Sequence, residues 1–266
     1  MKQSIERNVY VIGTGISLLD LSAEERQFVA DSGKVLSINR FYLHHEKIDI
    51  FPTSVIVADF NYYADLILRN VIDKRRDDGT GLTVYANANY HRMYSQKLRD
   101  WPFRAKARRM LKRRYGYAPT NRLPGIEDTY PIEVANESPV FAWARSLHEP
   151  MYHRRGSLPT ALNLANIIYP EHNAVLLGID LSTPKYFYDE LITPATSDRW
   201  VDEKYTSSVD AGIHANARPK KHDGETMIDA MRNVVREFNA QGLSITNANP
   251  NSMLVTEGVT AWQSIL

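Results

Sequence analysis

The chain has 266 residues, enough to bury a substantial core, and 32 lysines and arginines offset 31 acidic residues, so bulk charge gives no reason to expect a nucleic-acid partner. It contains no cysteine, which excludes disulfides, thiolate metal sites and cysteine nucleophiles and fits a reducing, cytoplasmic location. The polar opening Met1–Asn8 leads directly into a strand-like run and no later run reaches about 18 apolar residues, so neither a leader nor a membrane span is expected.

In chain order, the first element is Asn8-Val-Tyr-Val-Ile-Gly13-Thr-Gly-Ile-Ser17-Leu, a buried-strand run that breaks into a Gly-x-Gly turn before a helix-forming segment. Such turns let the backbone approach a nucleotide while the next N–H groups face an anion. Leu18 occupies the place of the third glycine of the dinucleotide fingerprint, and the run Lys34–Ile38 is followed by Asn39 and Arg40 rather than by a ribose-binding acid. Ser22-Ala-Glu-Glu25 is a capping-box start for a helix through Asp31. Strands are predicted at Val9–Ile12, Val35–Ile38, Ser54–Ala58, Leu82–Ala86, Ala174–Leu177 and Leu243–Thr246. Helices are predicted at Asn61–Arg75 and Leu158–Ile168, and a further strong one after Thr226.

Alternating strands and helices predict a Rossmann-like α/β fold, mostly parallel, with helices on both faces and one catalytic-sized domain over residues 1–266. Ligands of such sheets bind beyond the carboxyl ends of the strands, which singles out Thr14 to Ser17, Asn39, Asp59, Asp180 and Asn249 to Ser252. The irregular, aromatic-rich stretch at about 87–153 is expected to be an inserted helical lid, and about 193–219 a long active-site loop. Within the former, Arg104–Arg114 carries seven cations in eleven residues with no acid, a pattern suited to an anionic membrane surface or an anionic glycan. A solvated cationic helix is the plainer reading of the same residues.

Arg154-Arg155-Gly-Ser157-Leu-Pro-Thr160 opens the helix ahead of Val175-Leu-Leu-Gly178-Ile-Asp180, placing a forked donor and hydroxyls at a positive helix end. His222, just ahead of the helix that begins after Thr226, is a candidate general base because an imidazole takes up protons near neutrality. No Asp-x-Asp occurs, and the adjacent His44-His45-Glu46 points its side chains apart, so no metal ligands are expected.

The order of these pieces resembles the bacterial sialyltransferases of glycosyltransferase family 42. Ile12-Gly-Thr-Gly-Ile-Ser17-Leu stands for the family's Gly-Asn-Gly-Pro-Ser-Leu, and Ser37-Ile-Asn39-Arg-Phe41-Tyr42 for its Cys-Asn-Gln-Phe-Tyr. Leu177-Gly-Ile-Asp180 matches Ser-Gly-Ile-Asp, and Asn249-Pro-Asn251-Ser252-Met-Leu looks like Cys-Pro-Asn-Ser-Leu-Leu. The chain departs from the pattern at Thr14, at Leu158-Pro159 and at Ser182, where a phosphate-contacting tyrosine belongs and for which Tyr186 is near enough to substitute.

The resemblance implies a variant of the GT-A fold (GT-A-like) and an inverting, metal-independent transfer of sialic acid from CMP-sialic acid to a hydroxyl of a lipooligosaccharide or capsule-like acceptor. It implies no cofactor other than this donor substrate, a homo-oligomer, and enzyme peripheral to the inner membrane. On this reading His222 is the base, Tyr188 and Tyr186 donate to the phosphate, and Arg155 holds a carboxylate or phosphate. Gly13, Thr14, Gly15, Ser17, Asn39, Asp59, Ser157, Gly178, Asp180, Asn251 and Ser252 bind the nucleotide. CMP-Kdo is the alternative donor. An NADP-dependent oxidoreductase using Arg40, and a non-catalytic glycan or nucleic-acid binder, are the rival functions.

Overall fold

The computed structural model describes residues 7–94, 112–113, 123–136, 141–188, 214–219 and 224–266. Its first half runs β1 (Asn8–Ile12), a 3-10 turn (Ile16–Asp20), α1 (Ala23–Asp31), β2 (Val35–Ile38), a second 3-10 segment (Phe41–Lys47), β3 (Ser54–Val57), α2 (Tyr62–Asp78), β4 (Thr83–Asn87) and α3 (Ala88–Tyr94). The described residues continue with β5 (Tyr130–Ile132), β6 (Val134–Asn136), β7 (Met151–His153), α4 (Ser157–Ile168), β8 (Asn173–Leu177), a 3-10 turn (Ala215–Ala217), α5 (Met227–Ala240), β9 (Ile245–Asn247), α6 (Met253–Thr256) and β10 (Ala261–Trp262).

Helix starts follow local chemistry. Ser22 and Glu25 form the capping box of α1, the Asn61 side chain accepts from the Ala64 N–H to cap α2, and Thr226 with Asp229 closes a second capping box on α5. Each cap satisfies donors that the first helical turn leaves open.

Eight strands form one sheet in the order β10-β9-β8-β1-β2-β3-β4-β5, and every neighbouring pair is parallel. Side chains alternate between its faces, as a strand period of two requires. Val9, Val11, Leu36, Ile56 and Leu176 pack with α4 and α5 on one side. Tyr10, Ile12, Val35 and Val175 pack toward α1, and Val55, Val57, Val84 and Ala86 toward α2 and α3, on the other. Burying each such side chain contributes about 1.5–3 kcal/mol, so the two layers hold the central strands from both faces. This is a Rossmann-like α/β architecture.

From β1 the chain winds outward to β5, then crosses back to lay β8 against the other side of β1 and winds outward again to β10. The β1/β8 seam is therefore the topological switch point, where open α/β sheets leave a crevice at their carboxyl ends.

Of the stretch 87–153 expected as an inserted lid, α3 packs beside α2 and β5 extends the main sheet, while β6 and β7 form a separate two-stranded parallel pair. Residues 95–111, 114–122 and 137–140 lie outside the described residues, so part of the expected lid and most of the basic stretch Arg104–Arg114 do too. Lys112 and Arg113 are exposed. Among the described residues no helix is long and apolar enough to cross a membrane.

Candidate functional site

The loops after β1 and β8 interlock at the seam. Gly13 N–H donates to Leu177 O at 2.8 Å, Gly15 N–H to Gly178 O at 2.8 Å, Ser17 N–H to an oxygen of Asp180 at 3.0 Å and Leu18 N–H to Gly15 O at 3.3 Å. These four amides are committed within the protein, so the turn does not present them as the open anion cradle expected of a Gly-x-Gly loop. The glycines are required by the neighbouring loop: a Cβ on Gly13 would overlap Gly178 O and the Ile179 side chain, and one on Gly15 would overlap the Asp180 carboxylate. Leu18 is buried against Gly178, which fills the space a third glycine of the fingerprint would have opened.

Asp180 is the hub of this seam. It accepts from the Ser17 N–H and hydroxyl and from the Asn249 amide at 2.9 Å, and its own carbonyl accepts from Met253 N–H at 2.9 Å. Ser252 is fully buried, donates to Ile179 O at 2.6 Å and accepts from the Asn247 amide at 3.0 Å. Ser17 and Ser252 thus act behind the surface, shaping the β8 loop, and exposed Asn251 uses its N–H on the Asn249 side chain.

Above the seam lies a cleft of about 270 Å³. Gly13, Thr14 and Gly15 line it from β1, Asn39 and Arg40 from β2, Asp59 from β3, Ser157 from α4, and Gly178 and Asp180 from β8. Tyr186 and Tyr188 line the same cleft, because Phe187 N–H donates to Thr14 O at 3.1 Å and Tyr186 bridges to Gly15. The two tyrosine rings stack at 5.4 Å and 8°, and Tyr188 also stacks on His44 at 4.3 Å. Burial, reinforced by the Arg40 cation, holds His44 down at about 4, so the ring under Tyr188 is neutral near pH 7. His45 packs instead on Tyr42 and Phe51, so the adjacent histidines serve separate aromatic contacts.

Arg155 has a different place from the one expected. It is absent from the cleft wall, and its guanidinium donates to the carbonyls of Asn216 and Arg218, clamping the segment 214–219 beside the start of α4. Arg154 pairs with Glu225 next to it. His222 lies outside the described residues. The cleft does contain His214, edge-on to Tyr186, with Nδ1 accepting the Asn216 N–H at 3.2 Å. Its only signal in the sequence is a histidine inside the long loop after β8. Buried His153, whose Nε2 lies 3.4 Å from Asp59, also escaped notice, because a histidine in a three-residue strand has no recognisable spacing.

Comparison with known proteins adds nothing to this geometry: no family model, no curated protein and no solved structure matches the chain.

Proposed function

We propose that the chain is an inverting glycosyltransferase that uses a CMP-activated sugar acid and transfers sialic acid to a hydroxyl of a saccharide acceptor. One observation carries this reading. The cleft gathers, from five separate stretches of chain, the residues to which the resemblance assigns donor binding: Thr14, Asn39, Asp59, Ser157, Asp180 and the tyrosine pair Tyr186 and Tyr188.

The chemistry asks little of the protein beyond charge and proton handling. A 2-keto sugar acid departs from CMP through an oxocarbenium-like transition state, so the site must stabilise negative charge on the leaving phosphate and deprotonate the acceptor. In this reading Tyr188 and Tyr186 donate to that phosphate, and the cations Arg40 and Lys185 in the cleft wall add a favourable field. Asn39, Asp59 and Ser157 hold the nucleoside. The base role stays with His222, which lies outside the described residues; His214 lines the cleft, but its Nδ1 accepts from the Asn216 N–H, which leaves the ring proton on Nε2. Arg155 acts indirectly, by holding the segment that carries His214.

The test is titration with CMP in EDTA, followed by release of CMP from CMP-sialic acid and from CMP-Kdo. His222→Ala is expected to retain CMP affinity and lose turnover by roughly 10²–10⁴-fold, while His214→Ala keeps it. The reverse pattern moves the base role to His214, whose Nδ1 would then have to release the Asn216 N–H. Binding of NADP with no response to CMP would replace this reading by the oxidoreductase, the second reading that Arg40 in the cleft wall favours.

A further inference from the structure

A chain of polar groups runs behind the cleft and ends on Asp59, which the donor reading gives to the nucleoside without naming the part it meets. Ser157 donates to Asp59 Oδ2 at 2.6 Å and accepts from the Asn39 amide at 3.3 Å. On the other side His153 Nε2 faces Asp59 Oδ1 at 3.4 Å. His153 Nδ1 lies 2.8 Å from the Thr160 hydroxyl, and a proton given by that hydroxyl to Nδ1 leaves the ring's own proton on Nε2, facing Asp59. His153, Ser157 and Thr160 are all buried, whereas the Asp59 side chain is 31% exposed and lines the cleft. Buried groups on β7 and α4 thus fix one carboxylate in the cleft wall.

Position says which part of a ligand it meets. The tyrosine pair sits at the β1 loop, and Asp59 follows β3, two strands further along the sheet. Neighbouring strands are about 4.8 Å apart, so the ends of β1 and β3 are separated by roughly 10 Å, and a nucleotide whose phosphate meets the tyrosines would meet Asp59 with its nucleoside part. Beside it, Asn39 Oδ1 is buried and has no hydrogen-bond partner among the described residues. The partly exposed Asp59 carboxylate is an acceptor and suits a ligand group that donates. The 4-amino group of cytosine is such a donor, and a carboxylate accepting from it is an established way of reading cytosine. Uracil places an acceptor oxygen there, and facing it with a carboxylate leaves both groups unsatisfied.

We propose that Asp59, with Asn39 beside it, selects cytosine over uracil in this cleft, and that His153 is the positioning residue that holds Asp59 in register. The proposal rests on the CMP-donor reading and names the residue that gives that donor its base specificity.

Calorimetric titrations of the whole chain with CMP, UMP and 2′-deoxy-CMP test it. The unaltered protein is expected to bind CMP at least tenfold more tightly than UMP and to accept 2′-deoxy-CMP nearly as well. Asp59→Asn, whose amide can donate to uracil, is expected to bring the CMP/UMP ratio close to one. His153→Phe is expected to lower the same ratio, with partial recovery in His153→Gln, which keeps a donor toward Asp59. A purely structural role for His153 would weaken both nucleotides equally. Equal CMP and UMP affinity in the unaltered protein, or an undiminished ratio in Asp59→Asn, overturns the proposal and leaves the donor reading standing. Selective loss with 2′-deoxy-CMP reassigns Asp59 to the ribose and also overturns it. No binding of any of the three removes the donor reading and this proposal together.

Discussion

Asp180 shows how one side chain organises a site without forming its chemistry. Three donors converge on its carboxylate, two from Ser17 after β1 and one from Asn249 after β9, and Gly15 is the residue whose lack of a side chain makes the approach possible. Asp180→Ala leaves these donors without their acceptor. Each buried, unsatisfied donor costs about 1–3 kcal/mol, less wherever water reaches it, so a loss of about 3 kcal/mol is expected. Urea unfolding of Asp180→Ala and Asp180→Asn measures this, and the asparagine, retaining one acceptor oxygen, should lie between the alanine and the parent. A loss below about 1 kcal/mol in the alanine variant would mean that the backbone bonds from Gly13 and Gly15 hold the seam unaided.

At the scale of elements, the 3-10 segment Phe41–Lys47 packs against the turn that carries Tyr186 and Tyr188 through the His44–Tyr188 stack. His44 titrates at about 4 here, against its ordinary 6.5, chiefly because it is buried. The folded state thus disfavours the charged ring, and the sign follows: its contribution is complete above pH 6.5 and is lost as pH falls toward 4, where the unfolded chain takes up a proton that the folded one resists. The fall in melting temperature between pH 7 and pH 5 should therefore be smaller in His44→Phe, which keeps an aromatic ring under Tyr188. An unchanged fall would assign acid sensitivity to other groups, such as His91 and His172, whose values burial also lowers.

Elements with strong local signals were legible in advance. β1, β2, β3 and β8 are apolar runs buried on both faces, and the capping boxes at Ser22 and Thr226 mark helix starts. β5 was not, because Tyr-Pro-Ile with its first two residues exposed carries neither alternation nor an apolar run, and Pro131 is tolerated there as an edge residue. α3, Ala-Asn-Tyr-His-Arg-Met-Tyr, has weak intrinsic helix propensity and depends on burial of Tyr90, Met93 and Tyr94. Most of the cleft wall follows strand ends and could be read from the sheet rule alone. His214, His153 and the clamp by Arg155 could not, since each depends on which loop folds over which helix, and no periodicity encodes that.

For the molecule as a whole, the cleft straddles the seam between the β1–β5 half of the sheet and the β8–β10 half, with walls from both. A ligand that fills it bridges the halves and is bound by neither alone. Binding to the native state alone stabilises it by about 2.7 kcal/mol at a free concentration one hundred times Kd. For a chain of this size that corresponds to a rise in melting temperature of roughly 5–10 °C. The expected outcome is one thermal transition that moves as a unit when CMP is added in EDTA. If the seam is weaker than the halves, two transitions appear and CMP shifts only one, which would place the ligand on a single side of the switch point. If CMP at millimolar concentration moves neither, the cleft does not take this nucleotide, however well its wall matches the pattern that suggested it.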